Sequence, residues 1–130
     1  MDTDMLNQAM PFGVRLGLGL ESASPEEVVL RLEWAEDLCT SGGVLHGGAL
    51  MGLADSGGGL CAFLNLPEDA KGTATIESKT NFFGAVRDGH VTATSRPLHK
   101  GKTTIVVETD VHDATGRHVA RVTQTQAVLR

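Results

Sequence analysis

The sequence predicts an α+β fold in which one long helix lies against an antiparallel sheet. The stretch from Leu45 to Leu66 is apolar and glycine-rich, and it is the only one long enough for a major helix. Two alternating, strand-like segments precede it and four follow it. Because apolar residues surround this helix on nearly all sides, a curved sheet of about five to six strands must wrap around it. The 130 residues are expected to form a single domain spanning 1–130.

The segments before the long helix suggest one short helix and two strands. Thr3 to Met10 has a short amphipathic pattern that Pro11 should end. Val14 to Glu21 alternates apolar with small or polar residues, as a half-buried strand does. Val28 to Trp34 follows a Ser-Pro turn signal and has the same alternation.

The long helix has a poor intrinsic propensity because it contains six glycines. Each glycine costs about 0.5–1 kcal/mol relative to alanine in a helix interior. A strand is the competing interpretation, but the stretch is too long for one. Tertiary packing must therefore stabilise this helix, and its glycines allow other backbone or a ligand to approach closely.

Four segments after the helix are rich in β-branched residues and alternate in polarity. Asp113 to Gly116, which reads DATG, is a strong hairpin turn between the last two. Their order predicts an antiparallel meander. The four predicted strands are Thr73–Phe83, His90–Leu98, Thr103–His112 and His118–Leu129.

Composition excludes several classes of protein. The net charge of −5 argues against a nucleic-acid binder, which needs a basic face. The start of the chain is too polar for a signal peptide. The two cysteines do not have the spacing of a disulfide framework. The apolar run contains Asp55 and lacks interfacial anchors, so it is not a membrane span. We therefore expect a cytoplasmic protein without a metal, since the histidines lack ligand spacing.

Asp55 is the one charged residue between Gly47 and Pro67. In a buried helix its charge would have few partners and little water, which is costly. Ionisable groups in such unfavourable surroundings are usually found at functional sites. Asp55 could instead cap a neighbouring element or face a solvated groove, and its local sequence leaves both interpretations open.

The spacing of Gly47 and Asp55 restricts how the two could act together. His46, Gly47 and Gly48 begin the helix, where the first amides have no intrahelical acceptor and favour an anion. At 1.5 Å per residue, Asp55 lies about 12 Å further along the axis. That separation is too large for both to act on one carbonyl carbon. Either only one of them matters, or Gly47 of one chain meets Asp55 of another.

Several motifs give the chain a family resemblance. They are GVLHGG at Gly43–Gly48, LAD at Leu53–Asp55, TIE at Thr75–Glu77 and TNFF at Thr80–Phe83. With these motifs the chain, over about residues 12–130, resembles the hotdog-fold acyl-CoA thioesterases of the PaaI-like group, in the 4-hydroxybenzoyl-CoA thioesterase superfamily. The resemblance implies a long helix wrapped by an antiparallel sheet. It also implies homodimers or homotetramers whose sites lie at the subunit interface.

The resemblance implies a role for four residues in hydrolysis of acyl-CoA to a free acid and CoA. Asp55 would be the nucleophile or the general base, and the amide of Gly47 would stabilise the oxyanion. Thr75 would position the attacking water or the carboxylate, and His46 would shape the start of the helix. Gly47 would come from the neighbouring subunit. Coenzyme A would enter only as part of the substrate, with no further cofactor.

Further residues are candidates for substrate binding. Thr40 stands where relatives often carry Asn or Gln, and Gly48 lies beside the predicted oxyanion donor. Phe63 could border an acyl pocket. A short basic turn is the candidate for the CoA phosphates, although an ordinary solvated turn would have the same sequence. Its candidate residues are His99, Lys100, Lys102 and Thr103.

Two other functions remain open at this stage. A non-catalytic domain could bind acyl-CoA or an acyl carrier in a binding tunnel at the same place. Such a domain would not need the carboxylate of Asp55 beside the thioester. A hotdog-type hydratase is the third interpretation. That chemistry usually pairs a carboxylate with a histidine, and the sequence shows no such arrangement.

Overall fold

A six-stranded antiparallel sheet and one long helix make up most of the computed structural model, which describes residues 1–130. The helices are α1 (Thr3–Ala9), α2 (Phe12–Leu16) and α3 (Gly47–Phe63). The strands are β1 (Gly19–Ala23), β2 (Val28–Glu33), β3 (Gly72–Phe82), β4 (His90–Lys100), β5 (Thr104–Asp113) and β6 (His118–Leu129). None of the helices combines the length and apolar character needed to cross a membrane.

The order of strands in the sheet is β1-β2-β4-β5-β6-β3. The predicted four-strand meander is therefore wrong in one respect: β4, β5 and β6 form a meander, but β3 pairs with β6 at the far edge. The path of α3 explains this, since the helix contacts every strand from β2 to β6 and crosses the sheet. It delivers the chain to the edge opposite β1, where β3 begins.

The first half of the strand predicted from Val14 to Glu21 is wrong. Residues Phe12 to Leu16 form α2, which starts directly after Pro11, a residue well suited to a helix start. Gly17 ends this helix in the left-handed conformation, with φ of 73°, which glycine adopts without steric cost. The strand β1 begins only at Gly19.

Helix α3 packs two of its glycines closely against the middle of the sheet. Ten of its 17 residues are buried, which confirms the expectation that most of its faces are covered. A Cβ on Gly57 would lie 2.9 Å from the hydroxyl of Ser95, and one on Gly58 would overlap the carboxamide of Gln124. These two glycines therefore let α3 approach β4 and β6 closely. The apolar core is a single cluster of 21 buried residues.

The edge strand β3 leaves large apolar side chains exposed. Ile76 is 63% exposed and Phe82 is 49% exposed, and Phe83, just beyond the strand, is 57% exposed. The register with β6 shifts between Thr75 and Glu77, so Ile76 forms a bulge. A long, apolar edge with unpaired backbone groups is a surface on which another strand can pair.

Candidate active site

Asp55 lies on an exposed face of α3, which favours, within a single chain, the interpretation of a carboxylate that faces a groove over that of a buried one. Met51 and Phe63, at four-residue intervals from it, are also exposed, at 42% and 52%. Residues at this spacing share one face of a helix. The sheet and α2 cover the remaining faces of α3, and this face lies beside the free edge of β3.

The carboxylate of Asp55 is bonded to Thr75. The hydroxyl Oγ1 of Thr75 donates to Oδ1 of Asp55 over 3.1 Å, while Oδ2 of Asp55 makes no hydrogen bond. The bulge at Ile76 follows Thr75 directly, and bulges are often used to re-aim side chains next to active sites. The carboxylate is thus held at one oxygen and open at the other.

A pocket of about 420 Å³ opens beside Asp55 and Thr75. Its wall is largely apolar, with Met10 at the end of α1 on one side and Leu60 and Phe63 of α3 on the other. The structure therefore brings the predicted residues Asp55, Thr75 and Phe63 together. The pocket can receive an apolar group next to an available carboxylate oxygen.

His46 caps the start of α3. Its Nδ1 accepts from the amide of Gly48 over 2.7 Å, while the amide of Gly47 has no acceptor. The ring of Phe82 covers the α-carbon of Gly47, because a Cβ there would lie 3.0 Å from its Cζ. The free Gly47 amide is therefore the donor that this end of the helix offers to an anion.

The two halves of the predicted site do not meet within one chain. His46 and Gly48 line a separate pocket of about 270 Å³, which does not include Asp55. Because α3 is continuous from Gly47 to Phe63, the rise per residue places Gly47 and Asp55 about 12 Å apart along the axis.

The remaining predicted binding residues lie away from Asp55. Thr40 is exposed, and its backbone amide donates to the carbonyl of Val44 over 2.8 Å while its side chain has no partner. The four residues of the basic segment are also exposed, and none of them lines the Asp55 pocket. His99 and Lys100 end β4, and Lys102 and Thr103 form the turn that follows.

The thiol of Cys61, six residues after Asp55 on α3, is not a competing nucleophile. Burial raises the pKa of Cys61 to about 11, although the charge of Lys100 opposes this shift. The thiol therefore stays protonated at neutral pH, and the thiolate is the nucleophilic form.

Two residues that the sequence analysis did not single out support the site. Gln126 donates from Nε2 to Oγ1 of Thr75 over 2.6 Å, and Gln124 lies beside it. Both are buried, at 1% exposure. The alternation of β6 could have indicated them, since Ala120 and Val122 share their inward face and glutamine is unusual at such core positions.

Comparison with known proteins identifies the family. The profile of the thioesterase superfamily matches residues 42–120, which is more than half of the chain. A proposed esterase from Saccharolobus solfataricus is 37% identical over 102 residues, covering 78% of this chain and 71% of that protein. The matched segment contains both Gly47 and Asp55.

Solved structures give the same result. A mutant thioesterase from Pseudomonas aeruginosa superposes with a TM-score of 0.91 at 27% identity, covering 99% of this chain and 94% of that one. The Escherichia coli PaaI protein, from the phenylacetic acid degradation operon, superposes at 0.87 with 18% identity, covering 99% and 91%, which shows the shared fold alone. The chain therefore belongs to the thioesterase superfamily and is a hotdog-fold thioester hydrolase.

Proposed function

We propose that this protein hydrolyses acyl-CoA thioesters, with Asp55 as the nucleophile or general base. The observation that carries the proposal is the carboxylate of Asp55, held at Oδ1 by Thr75 and free at Oδ2, at the mouth of an apolar pocket. An acyl group would occupy that pocket, between Met10 and Phe63. Its thioester carbonyl would then lie next to the free carboxylate oxygen.

In the general-base form, Oδ2 of Asp55 takes a proton from water as the water oxygen attacks the thioester carbon. The carbonyl oxygen becomes an oxyanion, and its collapse expels the thiolate of CoA, which takes up a proton. In the nucleophilic form, Oδ2 itself attacks the thioester carbon, the C–S bond breaks and the thiolate of CoA leaves, and water then hydrolyses the resulting anhydride to the free acid and the Asp55 carboxylate. A thiolate leaves without strong acid assistance, so this small set of groups is sufficient.

The oxyanion donor in this proposal is Gly47 of a second copy of the chain. Its amide is free, but in the same chain it lies about 12 Å along α3 from Asp55. The exposed face of α3 and the apolar edge of β3 adjoin each other and suit a two-fold partner. A homodimer would then contain two composite sites, and such dimers could pair into a tetramer.

The CoA portion would extend from the pocket towards positive charge. Lys100 and Lys102 are exposed and make no ion pair, so they are available to phosphates, with His99 and Thr103 beside them. Thr40 would contribute a hydroxyl near the carbonyl.

The reaction as proposed uses no metal or dissociable cofactor. The cytoplasmic location stays a prediction from the sequence.

The test is thiol release from aryl-, short- and long-chain acyl-CoAs, measured for the wild type and Asp55→Asn. Loss of a general base or nucleophile should lower the rate by about 10²-fold or more. The matched control is Asp88→Asn, which removes an exposed carboxylate without hydrogen bonds and should leave the rate unchanged. If the wild type binds acyl-CoA but releases no thiol, the protein is a binding domain and the proposal is wrong.

A further inference from the structure

Two buried carboxamides connect the backbone of α3 to the candidate active site. Gln124 and Gln126 both point inward from β6, and each is 1% exposed. Gln124 donates from Nε2 to the carbonyl of Ala54 over 3.2 Å, and its Oε1 accepts from Nε2 of Gln126 over 2.5 Å. Gln126 also donates to Thr75, which donates to Asp55. The chain of bonds therefore begins at the residue before Asp55 and ends on its side chain.

The donors in this series of hydrogen bonds can point in only one direction. The carbonyl of Ala54 can only accept, so Gln124 must present its NH₂ group there and its oxygen towards Gln126. That oxygen needs a donor, which orients the NH₂ group of Gln126 towards both Gln124 and Thr75. The hydroxyl of Thr75 accepts from Gln126 and has a single proton left, which it donates to Asp55.

We propose that Gln126 is a positioning residue for the hydrolysis, acting through Thr75 and anchored by Gln124. It fixes the hydroxyl proton of Thr75 on Oδ1 of Asp55, which leaves Oδ2 for the reacting water or carbonyl. This inference rests on the proposed thioesterase function and assigns roles to two residues beyond the family motifs. A second bond supports the orientation, since Thr73 donates to Oε1 of Gln126 over 3.0 Å.

The surroundings keep this network rigid. Both glutamines are buried, and in such surroundings hydrogen bonds are electrostatically stronger than in water. Gly58 makes room for Gln124, because a Cβ there would overlap the carboxamide. An unpaired amide in this position would be costly, so each member favours the observed arrangement of its neighbours.

The experiment combines Gln126→Met, Thr75→Val and the double variant. Methionine keeps the length of glutamine but cannot donate. We expect Gln126→Met to lower kcat by about tenfold and to change KM much less, because Gln126 lines the pocket and methionine keeps its length there. Since Gln126 acts through Thr75, the double variant should be no slower than Thr75→Val alone. Thr125→Val is the control, because Thr125 is on the other face of β6.

A measurement that does not use activity separates this inference from the proposed function. Three-bond couplings report the χ1 rotamer of Thr75 in labelled protein. They should show one rotamer in the wild type and averaging in Gln126→Met, whether or not the protein cleaves a thioester. If the wild type releases no thiol while this difference appears, the thioesterase proposal fails and the positioning of Thr75 stands.

Two results would overturn the inference. One is an unchanged Thr75 rotamer in Gln126→Met. The other is a further loss of kcat in the double variant, relative to Thr75→Val, that is as large as the loss caused by Gln126→Met alone. Should Gln126→Met not fold, Thr73→Val serves as the second variant. This variant removes the hydrogen bond to Oε1 of Gln126 and should also lower kcat, by a smaller factor. If both kcat and the Thr75 rotamer are unchanged in Thr73→Val, the inference is contradicted.

Discussion

At the scale of single residues, Gly47 allows one hydrogen-bond donor to be removed without removing a side chain. It is the first residue of α3, a position where proline is favoured because its missing N–H has no helical acceptor. His46 has φ of −61° and ψ of 137°, within the extended region allowed before proline. The backbone is therefore compatible with proline at position 47.

Gly47→Pro should lower kcat by about 10²-fold relative to Gly47→Ala, the cost of losing one oxyanion donor. Both variants place a Cβ near the ring of Phe82, but only proline removes the amide hydrogen. Thiol release by the two variants at saturating substrate is the measurement. Equal rates would show that the Gly47 amide does not contact the oxyanion.

Gly58→Ala should lower the free energy of unfolding by about 1–3 kcal/mol, because the new Cβ overlaps the carboxamide of Gln124. Gly59→Ala is the matched control on the same turn of α3. A Cβ there meets nothing within 4 Å, so the better helix propensity should raise stability by about 0.5–1 kcal/mol. Urea unfolding of both variants tests the pair. Destabilisation of the same size in both would contradict the packing described for Gly58.

At the scale of elements, the β5–β6 hairpin is held by the carboxylate of Asp113. Its Oδ1 accepts from the hydroxyl and amide of Thr115, over 2.7 and 2.9 Å, and from the amide of Arg117 over 2.9 Å. Its Oδ2 accepts from Nε of Arg117 over 3.1 Å. The hydroxyl of Thr115 and these further donors lower the pKa of Asp113 to about 2, although partial desolvation opposes the shift.

This shift predicts a loss of stability in acid. Because the folded state lowers the pKa from 3.8 to about 2, the contribution of Asp113 is fully present above pH 3.8 and is lost as the pH falls to about 2. Asp113→Asn should therefore be less stable than the wild type at pH 7, and the difference should narrow across that window. Thermal unfolding at several pH values tests it, and Asp88→Asn, which removes an exposed carboxylate without hydrogen bonds, is the control.

The sequence was sufficient for the type of most elements but not for their pairing. Alternation identified β2, β4, β5 and β6 because each has one face on the core. It could not show that β3 pairs with β6, since that depends on where α3 delivers the chain. It also assigned Val14 to Leu16 to a strand, although Pro11 before this region and Gly17 after it favour a short helix.

The candidate site was predictable where a residue contradicts its surroundings. Asp55 stands out as the only charge in an apolar run, and Gly47 follows from the start of that helix. The alternation of β6 places Gln124 and Gln126 on its inward face, but it does not reveal which groups they contact. Their importance depends on the long-range pairing that places β6 beside Thr75, which no local pattern contains.

At the scale of the whole molecule, the proposed sharing of the site between two chains predicts complementation. A mixed dimer of Asp55→Asn and Gly47→Pro chains has one site with both defects and one with neither. Equal co-expression gives mixed dimers half of the time, and one of the two sites in each mixed dimer is intact. About a quarter of the wild-type activity should therefore return. Each variant alone should be nearly inactive. If the mixture is as inactive as its components, Gly47 and Asp55 do not act across an interface.

The pairing of β3 with β6 also has a consequence for the order in which the protein can fold. A ribosome synthesises β3 before β4, β5 and β6, yet β6 is the strand that pairs with it. Until Leu129 is made, β3 lacks the strand that joins it to the rest of the sheet. Such non-local pairings form slowly, and the exposed apolar surface is prone to aggregation in the meantime. We therefore expect the nascent chain to be most dependent on chaperones between the synthesis of Phe82 and that of Leu129.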